Sequence, residues 1–313
     1  SDFAILGGLR RLDAIDITGL EITPAALDVL TTCPKLRQIG SQYNKLGDEL
    51  WAHLANAHAL EMLFHGYDSL PVTGIGISKL KTANLSILSL ATAPIIDEAL
   101  PEIANFSKLL EINLERTKIT DTGIVALAEL QKLRNLSVRN TDVTAVGLTS
   151  LRNLPLTTLG YGRTISEMAA QAAEVAKLFP KVTRLFIPVE ANPTTTEWNA
   201  LATAWPKLTD LYSINSREFT DEACEGIVAF QSLEDLQIFN APKVTDKGIA
   251  FLTPLKKIRV IRFLGDAAIS DAALVTLAEM RSLKILKLPN NSAGITPAGI
   301  ATFKKSRPDI KLE

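Results

Sequence analysis

One feature constrains the fold of this chain more than any other: a repeat of about 25 residues that runs from end to end. A repeat this short cannot bury an apolar face by itself, so neighbouring repeats must stack on one another. The length of 313 residues therefore counts stacked repeats and predicts a single domain over residues 1–313, although length alone favours two. The repeats, which are followed by a fragment at Ile310, begin at Leu12, Leu36, Leu60, Leu85, Leu109, Leu133, Leu156, Val182, Leu208, Leu233, Ile258 and Leu283.

Within each repeat the spacing of apolar residues changes from that of a strand to that of a helix. Leu233, Leu236 and Ile238 occupy positions 0, 3 and 5 of their repeat, and the step from 3 to 5 is the alternation of a strand. Later positions have the spacing of a helix, as in Leu274 and Leu277. The pattern predicts an α/β solenoid of about twelve repeats, with a parallel sheet on one side and helices on the other.

The joint between strand and helix carries a recurring pair of polar residues. A hydroxyl residue is followed by Asp at four joints: Thr120–Asp121, Thr220–Asp221, Thr245–Asp246 and Ser270–Asp271. The hydroxyl can accept a hydrogen bond from a free backbone N–H, and the carboxylate suits the positive end of the helix dipole. Because the pairs recur in a role that needs no reaction, we interpret the carboxylates as caps and not as catalytic groups.

Residues 109–130 and 233–252 show the repeat most clearly, as the pattern LxxLxLxxTxITDxGLxxLxxL. This pattern resembles leucine-rich repeats of the ribonuclease-inhibitor-like type, and its Thr-Asp-x-Gly signature is most similar to bacterial repeats that are abundant in planctomycetes. The resemblance implies a horseshoe with the sheet on the concave face and the helices on the convex face. It also implies binding of proteins or other ligands on the concave sheet, without shared catalytic residues. The repeats also resemble the substrate-receptor arms of ubiquitin ligases, which leaves that role as an alternative.

Each end of the chain shows part of the repeat pattern. Residues 6–12 reproduce residues 127–133, so we expect residues 1–11 to be the tail of a preceding repeat or an N-terminal cap. Residues 310–313 read as a terminal strand fragment, and we expect the C-terminus to be complete.

Charge and hydropathy exclude several classes of protein. The chain has 33 Lys and Arg against 34 Asp and Glu and no block of one sign, so we expect no nucleic-acid partner. No apolar run approaches the roughly 18 residues that a membrane-spanning helix needs. The first nine residues lack the features of a secretory signal. We expect a soluble protein that is cytoplasmic, or exported if a signal was removed; its organism and oligomeric state stay open.

No cofactor and no metal site are predicted. Cys33 and Cys224 are the only cysteines and lie eight repeats apart, too far for a disulfide, so we expect both in the core. His53 and His58 point about 140° apart on a predicted helix, and His65 belongs to the next strand. We therefore expect no metal, and no nucleophile, base and orienting group can be named for an enzyme.

Two regions depart from the repeat. The repeats that begin at Leu156 and Val182 lack the Thr-Asp-x-Gly signature, and the third repeat has a turn at 67–76 that is rich in Gly and Pro. Drift of the repeat is the simplest interpretation. The alternatives are a place where a ligand docks or, for an enzyme, a cleft beside the turn at 67–76.

The exposed strand surface is the main candidate for function. Because positions 3 and 5 point to the core, positions 2, 4, 6 and 7 of each repeat should face the concave side. Aromatic and Arg side chains dominate binding hot spots, and a contiguous apolar patch favours a partner. The alternative is that such residues stack on one another and only stabilise the sheet. In the later repeats we expect six such residues to lie close together: Phe186, Tyr212, Ile214, Phe239, Arg262 and Leu264.

A second patch is polar with a basic bias: Glu115, Arg116, Arg139, Asn140 and Arg163. It is either a site for an acidic ligand or a solvated face. The sequence as a whole predicts a non-enzymatic recognition module that binds a protein or peptide through the concave surface of the sheet.

Overall fold

The computed structural model describes residues 2–20, 22–66, 71–80, 83–188, 192–215, 217–292 and 294–313, without the side chains of residues 2, 3 and 213–215. The chain divides into two compact units, residues 1–156 and 157–313, which we call the first unit and the second unit. The single domain over 1–313 therefore stays a prediction, and each unit is described by itself.

The strands of the first unit are parallel and pair in chain order. Their register is that of the repeat, since Ile15 is opposite Ile39 and Ile39 is opposite Leu63. The strands are β1 (Ala14–Asp16), β2 (Gln38–Gln42), β3 (Met62–Gly66), β4 (Ile87–Ser89), β5 (Glu111–Asn113) and β6 (Asn135–Ser137).

The strands of the second unit are also parallel and pair in chain order. They are β7 (Thr158–Gly160), β8 (Arg184–Phe186), β9 (Asp210–Asn215), β10 (Asp235–Thr245), β11 (Val260–Ala268), β12 (Ile285–Lys287) and β13 (Lys311–Leu312). A row of inward side chains crosses them: Leu159, Leu185, Leu211, Leu236, Ile261, Leu286 and Leu312. The fragment predicted at 310–313 is thus a strand, because β13 pairs with β12.

Helical segments lie between successive strands. In the first unit the α-helices are one turn long: α1 (Leu27–Thr31), α2 (Leu50–His53), α3 (Leu100–Ile103), α4 (Asp121–Ile124) and α5 (Ala145–Leu148). Tighter 3-10 segments accompany them: Asp2–Gly8, Pro24–Ala26, Ile77–Leu80, Asp97–Ala99, Val125–Glu129 and Thr149–Leu151. In the second unit the helices have 6 to 14 residues: α6 (Ile165–Leu178), α7 (Thr195–Ala204), α8 (Asp221–Ile227), α9 (Asp246–Phe251), α10 (Asp271–Glu279) and α11 (Pro297–Ser306).

The core of the described residues is formed mainly by positions 0, 3 and 5 of the repeats, as the spacing predicts. Leu109, Ile112 and Leu114 of one repeat are at most 1% exposed. Cys33 and Cys224 are buried free thiols, which confirms that both are core residues. Burial raises the pKa of the Cys224 thiol. Parallel strands, alternating helices and this thin repeated core confirm the α/β leucine-rich-repeat solenoid.

The predicted N-caps are confirmed at three of the four joints. The hydroxyls of Thr120, Thr245 and Ser270 accept hydrogen bonds from backbone N–H groups two residues ahead. Thr220 begins its helix without such a side-chain bond. Its hydroxyl lies 3.4 Å from Asn192 Oδ1 of the preceding repeat.

The aspartates of the signature do more than face the helix dipole. Asp121 accepts hydrogen bonds from both the backbone N–H and the hydroxyl of Thr144, each at 2.7 Å, one repeat further on. Each carboxylate thus joins two stacked repeats through charge-assisted bonds. The same two bonds join five other pairs: Asp48 and Thr73, Asp97 and Thr120, Asp221 and Thr245, Asp246 and Ser270, and Asp271 and Thr296.

The glycine of the signature lies against this carboxylate. A Cβ added to Gly147 would overlap Asp121, and Gly123, Gly248 and Gly299 have the same position against the aspartate of the preceding repeat. A Cβ at these four glycines would require the carboxylate to shift, whereas the repeat with Ala273 at this position keeps both bonds between Asp246 and Ser270. The residues of the Thr-Asp-x-Gly signature therefore act together across two repeats. The Asp of one repeat accepts hydrogen bonds from the Thr or Ser of the next, and the Gly three residues after that Thr leaves room for the carboxylate.

Candidate binding surface on the outward side of the strands

The outward side of the strands in the second unit carries the candidate site. Residues that flank the inward row on each strand point away from the core, because side chains alternate along a strand. Eight of these outward residues on β8 to β12 are half-buried: Arg184, Phe186, Asp210, Tyr212, Asp235, Gln237, Arg262 and Lys287. We call this set, with Phe239 and Leu264 further along β10 and β11, the strand surface.

Phe186 and Tyr212 form its aromatic centre. They are partners in the register of β8 and β9, and their rings lie 6.1 Å apart between centroids with a tilt of 46°. The guanidinium carbon of Arg184 lies 4.9 Å from the centroid of the Tyr212 ring. Cation–π and ring contacts therefore hold these three side chains together before any partner arrives.

The Tyr212 hydroxyl lies between two carboxylates on neighbouring strands. It is 3.2 Å from Asp210 Oδ1 and 3.2 Å from Asp235 Oδ2. Burial, with the charge of Asp235, raises the pKa of Tyr212 to about 12, so the phenol stays protonated at neutral pH. Its single O–H hydrogen can be donated to only one of the two carboxylates at a time.

Two arginines balance these carboxylates. Arg184 lies 3.3 Å from Asp210, and Arg262 lies 3.0 Å from Asp235 and 3.5 Å from Glu313. Burial raises the pKa of Asp235 above its ordinary value, although Arg262 opposes the shift. The result is a row of charged side chains across β8 to β11 in the order basic, acidic, acidic, basic, with the Tyr212 hydroxyl beside both carboxylates.

The apolar part of the strand surface differs from its predicted arrangement. Phe239 and Leu264 are register partners, as the repeat predicts. Ile214, however, is opposite Ile238, and Phe239 is opposite Asn215, because a β-bulge shifts the register of β9 against β10 by one residue. Ile214 and Phe239 are therefore offset by one residue in the register, and because the side chain of Ile214 is outside the described residues, its closeness to Phe239 stays a prediction.

Three charged residues of this surface were missed by the sequence reasoning. Arg184, Asp210 and Asp235 occupy position 2 of their repeats, and Asp210 and Asp235 are register partners. The available signal was the succession of one basic and two acidic residues at that position in three neighbouring repeats. Reading across the repeats at position 2, as at positions 4 and 6, finds them.

The predicted polar patch is only partly assembled in the first unit. Glu115 and Arg139 form a buried ion pair, with side chains 11% and 7% exposed. Arg116 and Asn140 follow them at position 7, where both have left-handed backbone with φ of 57° and 54°. Position 7 is thus a turn, and Arg116 is exposed. Arg163 belongs to the second unit, where it is exposed and its backbone N–H donates to Glu167.

The irregular turn at 67–76 is described only from residue 71 onward; residues 67–70 lie outside the described part. Asp48 accepts from the backbone N–H groups of Thr73 and Gly74, at 3.1 and 3.0 Å. Glu102 accepts from the N–H groups of Gly76 and Ser78, at 3.3 and 3.0 Å. Both carboxylates anchor the turn by accepting hydrogen bonds from its backbone N–H groups, as Asp97 and Asp121 do in other repeats.

The histidines are separated in the way their spacing predicts. His53 lies 2.8 Å from Asp28, and His58 is exposed. His65 is buried, with Nδ1 3.0 Å from the Ser41 hydroxyl. Among the described residues, no group of three or more His, Cys, Asp and Glu side chains is arranged to hold a metal ion.

Two solved structures of other proteins are similar to this chain over most of its length. An internalin of Listeria monocytogenes is 19% identical with a TM-score of 0.45, and the match covers 98% of this chain and 88% of the internalin. A leucine-rich-repeat protein of Leptospira interrogans is 15% identical with a TM-score of 0.40, over 98% of this chain and 97% of that protein. No family model and no curated protein matches the chain. None of the described helices has the length and hydropathy to cross a membrane. The leucine-rich-repeat fold of the chain rests on its sequence repeat and on the parallel strands that pair in chain order.

Proposed function

We propose that the protein is a non-enzymatic recognition module that binds a protein or peptide through the strand surface. The observation that carries this proposal is the group formed by Arg184, Phe186, Tyr212 and Arg262 on the outward side of β8 to β11. Aromatic and Arg side chains contribute most to binding energy at interfaces. Stacking and ion pairs already fix them, so little conformational entropy is lost when a partner binds.

The neighbouring residues support a partner with both apolar and polar groups. Phe239 and Leu264 offer an apolar contact two residues further along the strands that hold Gln237 and Arg262. A hydrophobic centre with a polar rim is the usual anatomy of a protein interface. The polar rim here is supplied by the charges around Tyr212.

The alternatives that the sequence leaves open have narrower support. A substrate-receptor arm of a ubiquitin-ligase-like assembly would also bind a protein through its repeats, and is a special case of this proposal. An enzyme with a site beside the turn at 67–76 would need reactive groups, but Asp48 and Glu102 there are engaged by backbone N–H groups. The finer family assignment, to bacterial ribonuclease-inhibitor-like repeats, rests on the repeated Thr-Asp-x-Gly signature.

The test compares partners captured by the chain and by the Tyr212→Ala/Phe239→Ala double variant. Each protein that the unchanged chain captures from a lysate of the source organism is purified, and its affinity for both proteins is measured by calorimetry. We expect at least one partner whose affinity falls about tenfold or more in the double variant.

The matched control is Val146→Ala, which removes an exposed apolar side chain on α5 of the first unit. This variant should bind like the unchanged chain. Equal binding by the double variant for every partner would contradict the proposal.

A further inference from the structure

The positive charge of the chain is concentrated near its C-terminal end. Residues 256–313 hold 11 Lys and Arg against 5 Asp and Glu, a net charge of +6, whereas residues 1–255 have a net charge of −7. The excess lies at or just after the C-terminal ends of three successive helices, α9, α10 and α11: Lys256, Lys257, Arg259, Arg281, Lys284, Lys304, Lys305 and Arg307. We call these residues the basic edge.

Carboxylates neutralise only some of these cations. Arg259 lies 3.9 Å from Glu234, and Lys284 and Arg307 share Asp309 at 3.1 and 2.8 Å. The remaining five are exposed and have no carboxylate within ion-pair distance among the described residues: Lys256, Lys257, Arg281, Lys304 and Lys305. Five like charges on one edge repel one another and favour an anionic partner.

A cavity of about 520 Å³ opens on this edge, between the ends of α9 and α10. Lys256 lines it from the loop after α9, and Arg281 lines it from the loop after α10. Leu255 and Met280 supply its apolar walls, and Glu279 is its one carboxylate. The cavity is therefore basic at its mouth and apolar further in.

An apolar groove continues from this cavity along the helices. It lies between α10 and α11, has a volume of about 540 Å³ and shares Glu279 with the cavity. Leu274, Val275 and Phe303 are its apolar lining, and Val275 is 63% exposed. Its two carboxylates are Glu279 and Asp271, and Asp271 accepts hydrogen bonds from Thr296. A bulky apolar side chain so exposed beside a groove is a contact surface for another apolar group.

We propose that the basic edge and this groove bind an acidic, amphipathic peptide segment of a partner protein. Its apolar side chains occupy the α10–α11 groove, and its carboxylates lie over Lys256 and Arg281. Charge complementarity selects an acidic segment, and the apolar groove favours a peptide over a nucleic acid, whose phosphates would use the cations alone. This surface is separate from the strand surface, so either proposal can fail without the other.

The probe is a fluorescein-labelled peptide of Leu and Glu in an amphipathic helical pattern, with binding followed by fluorescence anisotropy. We expect saturable binding at low salt that weakens as salt is added, because the cations are exposed. Lys256→Glu/Arg281→Glu should weaken binding about tenfold, and Val275→Asp should also weaken it. All three positions are on the surface, and unchanged thermal midpoints show that the variants remain folded.

Two controls decide the outcome. Lys132→Glu/Lys207→Glu reverses two exposed cations at the corresponding edge of other repeats and should leave binding unchanged. The same peptide with Gln in place of Glu should bind much more weakly. The proposal is overturned if the acidic peptide does not bind, if the Lys256/Arg281 variant binds it like the unchanged chain, or if an oligonucleotide of equal charge binds more tightly.

Discussion

The two units share one core pattern and differ in the residues outside it. In the first unit successive repeats begin 23 to 25 residues apart, and their helical segments are single α-turns accompanied by 3-10 turns. From Leu156 onward the intervals are 25 to 27 residues, and the α-helices reach 14 residues. Longer repeats thus accompany longer helices, although repeat length alone does not set the helix type, because the described part of the 25-residue repeat that begins at Leu60 has only the 3-10 segment Ile77–Leu80.

The outward-facing strand residues also differ between the two units. At position 4 the first unit has one aromatic residue, Phe64, among short residues such as Ser89 and Asn113, whereas the second unit has the neighbouring aromatic pair Phe186 and Tyr212. Most inward positions hold mid-sized apolar residues in both units, because the repeats fill a thin core of nearly constant width; Ser41 and His65 are buried exceptions in the first unit. Core positions therefore specify the fold, and outward positions are free to specify what each unit contacts.

The largest effect is expected at the glycines that lie against an aspartate of the preceding repeat, one in each unit. Comparing them tests whether this contact contributes equally to the stability of both units. Gly147→Ala in the first unit and Gly248→Ala in the second should each lower the free energy of unfolding by about 1–3 kcal/mol, because the added Cβ overlaps the preceding aspartate. This loss should exceed the gain from placing Ala, a better helix former, in α5 or α9. Urea denaturation of both variants measures it.

The control for this pair is Gly8→Ala, where an added Cβ meets no atom within 4 Å. It should leave the free energy of unfolding nearly unchanged. If Gly147→Ala stabilises the protein while Gly248→Ala destabilises it, the contact between glycine and aspartate is not equivalent in the two units.

A smaller effect is expected from Tyr212, which has no counterpart in the first unit. Its pKa is raised to about 12 in the folded chain, against about 10 for an unperturbed Tyr. The neutral phenol is thus favoured by folding, so this contribution to stability is complete below about pH 10 and is lost as the pH rises towards 12. Tyr212→Phe should lose less stability over that interval, as measured by urea denaturation at a series of pH values.

Tyr161, whose pKa is also raised by burial, is present in both proteins and cancels in the difference. Absorbance of the phenolate provides a second measurement. Ionisation of Tyr212 near pH 10, or an equal alkaline loss in the variant, would show that its hydroxyl is not confined between Asp210 and Asp235.

Most of the fold and part of the site could be predicted from the sequence, for physical reasons. Inward residues such as Leu185 and Leu211 must repeat at one position, and so their register and the pairing of Phe186 with Tyr212 follow from counting. The place of Ile214 could not be counted, because a bulge depends on how the two strands twist against each other. The link from Asp121 to Thr144 was missed because the dipole and cap rules consider one helix at a time.

The smallest effect concerns Asp271, which holds the last Thr of the series. The backbone N–H and then the hydroxyl of Thr296 lower the pKa of Asp271 below its ordinary value. A carboxylate whose pKa is lowered by folding contributes stability above its unfolded pKa, about 3.9, and that contribution is lost as the pH falls through the folded value. Asp271→Asn should therefore show a smaller fall in thermal midpoint between neutral and strongly acidic pH than the unchanged chain. Glu129→Gln, at an exposed carboxylate of the first unit, should not change the acid dependence. If both variants change it equally, the bond to Thr296 has no role in acid stability, and Asp271 behaves as a solvated surface carboxylate.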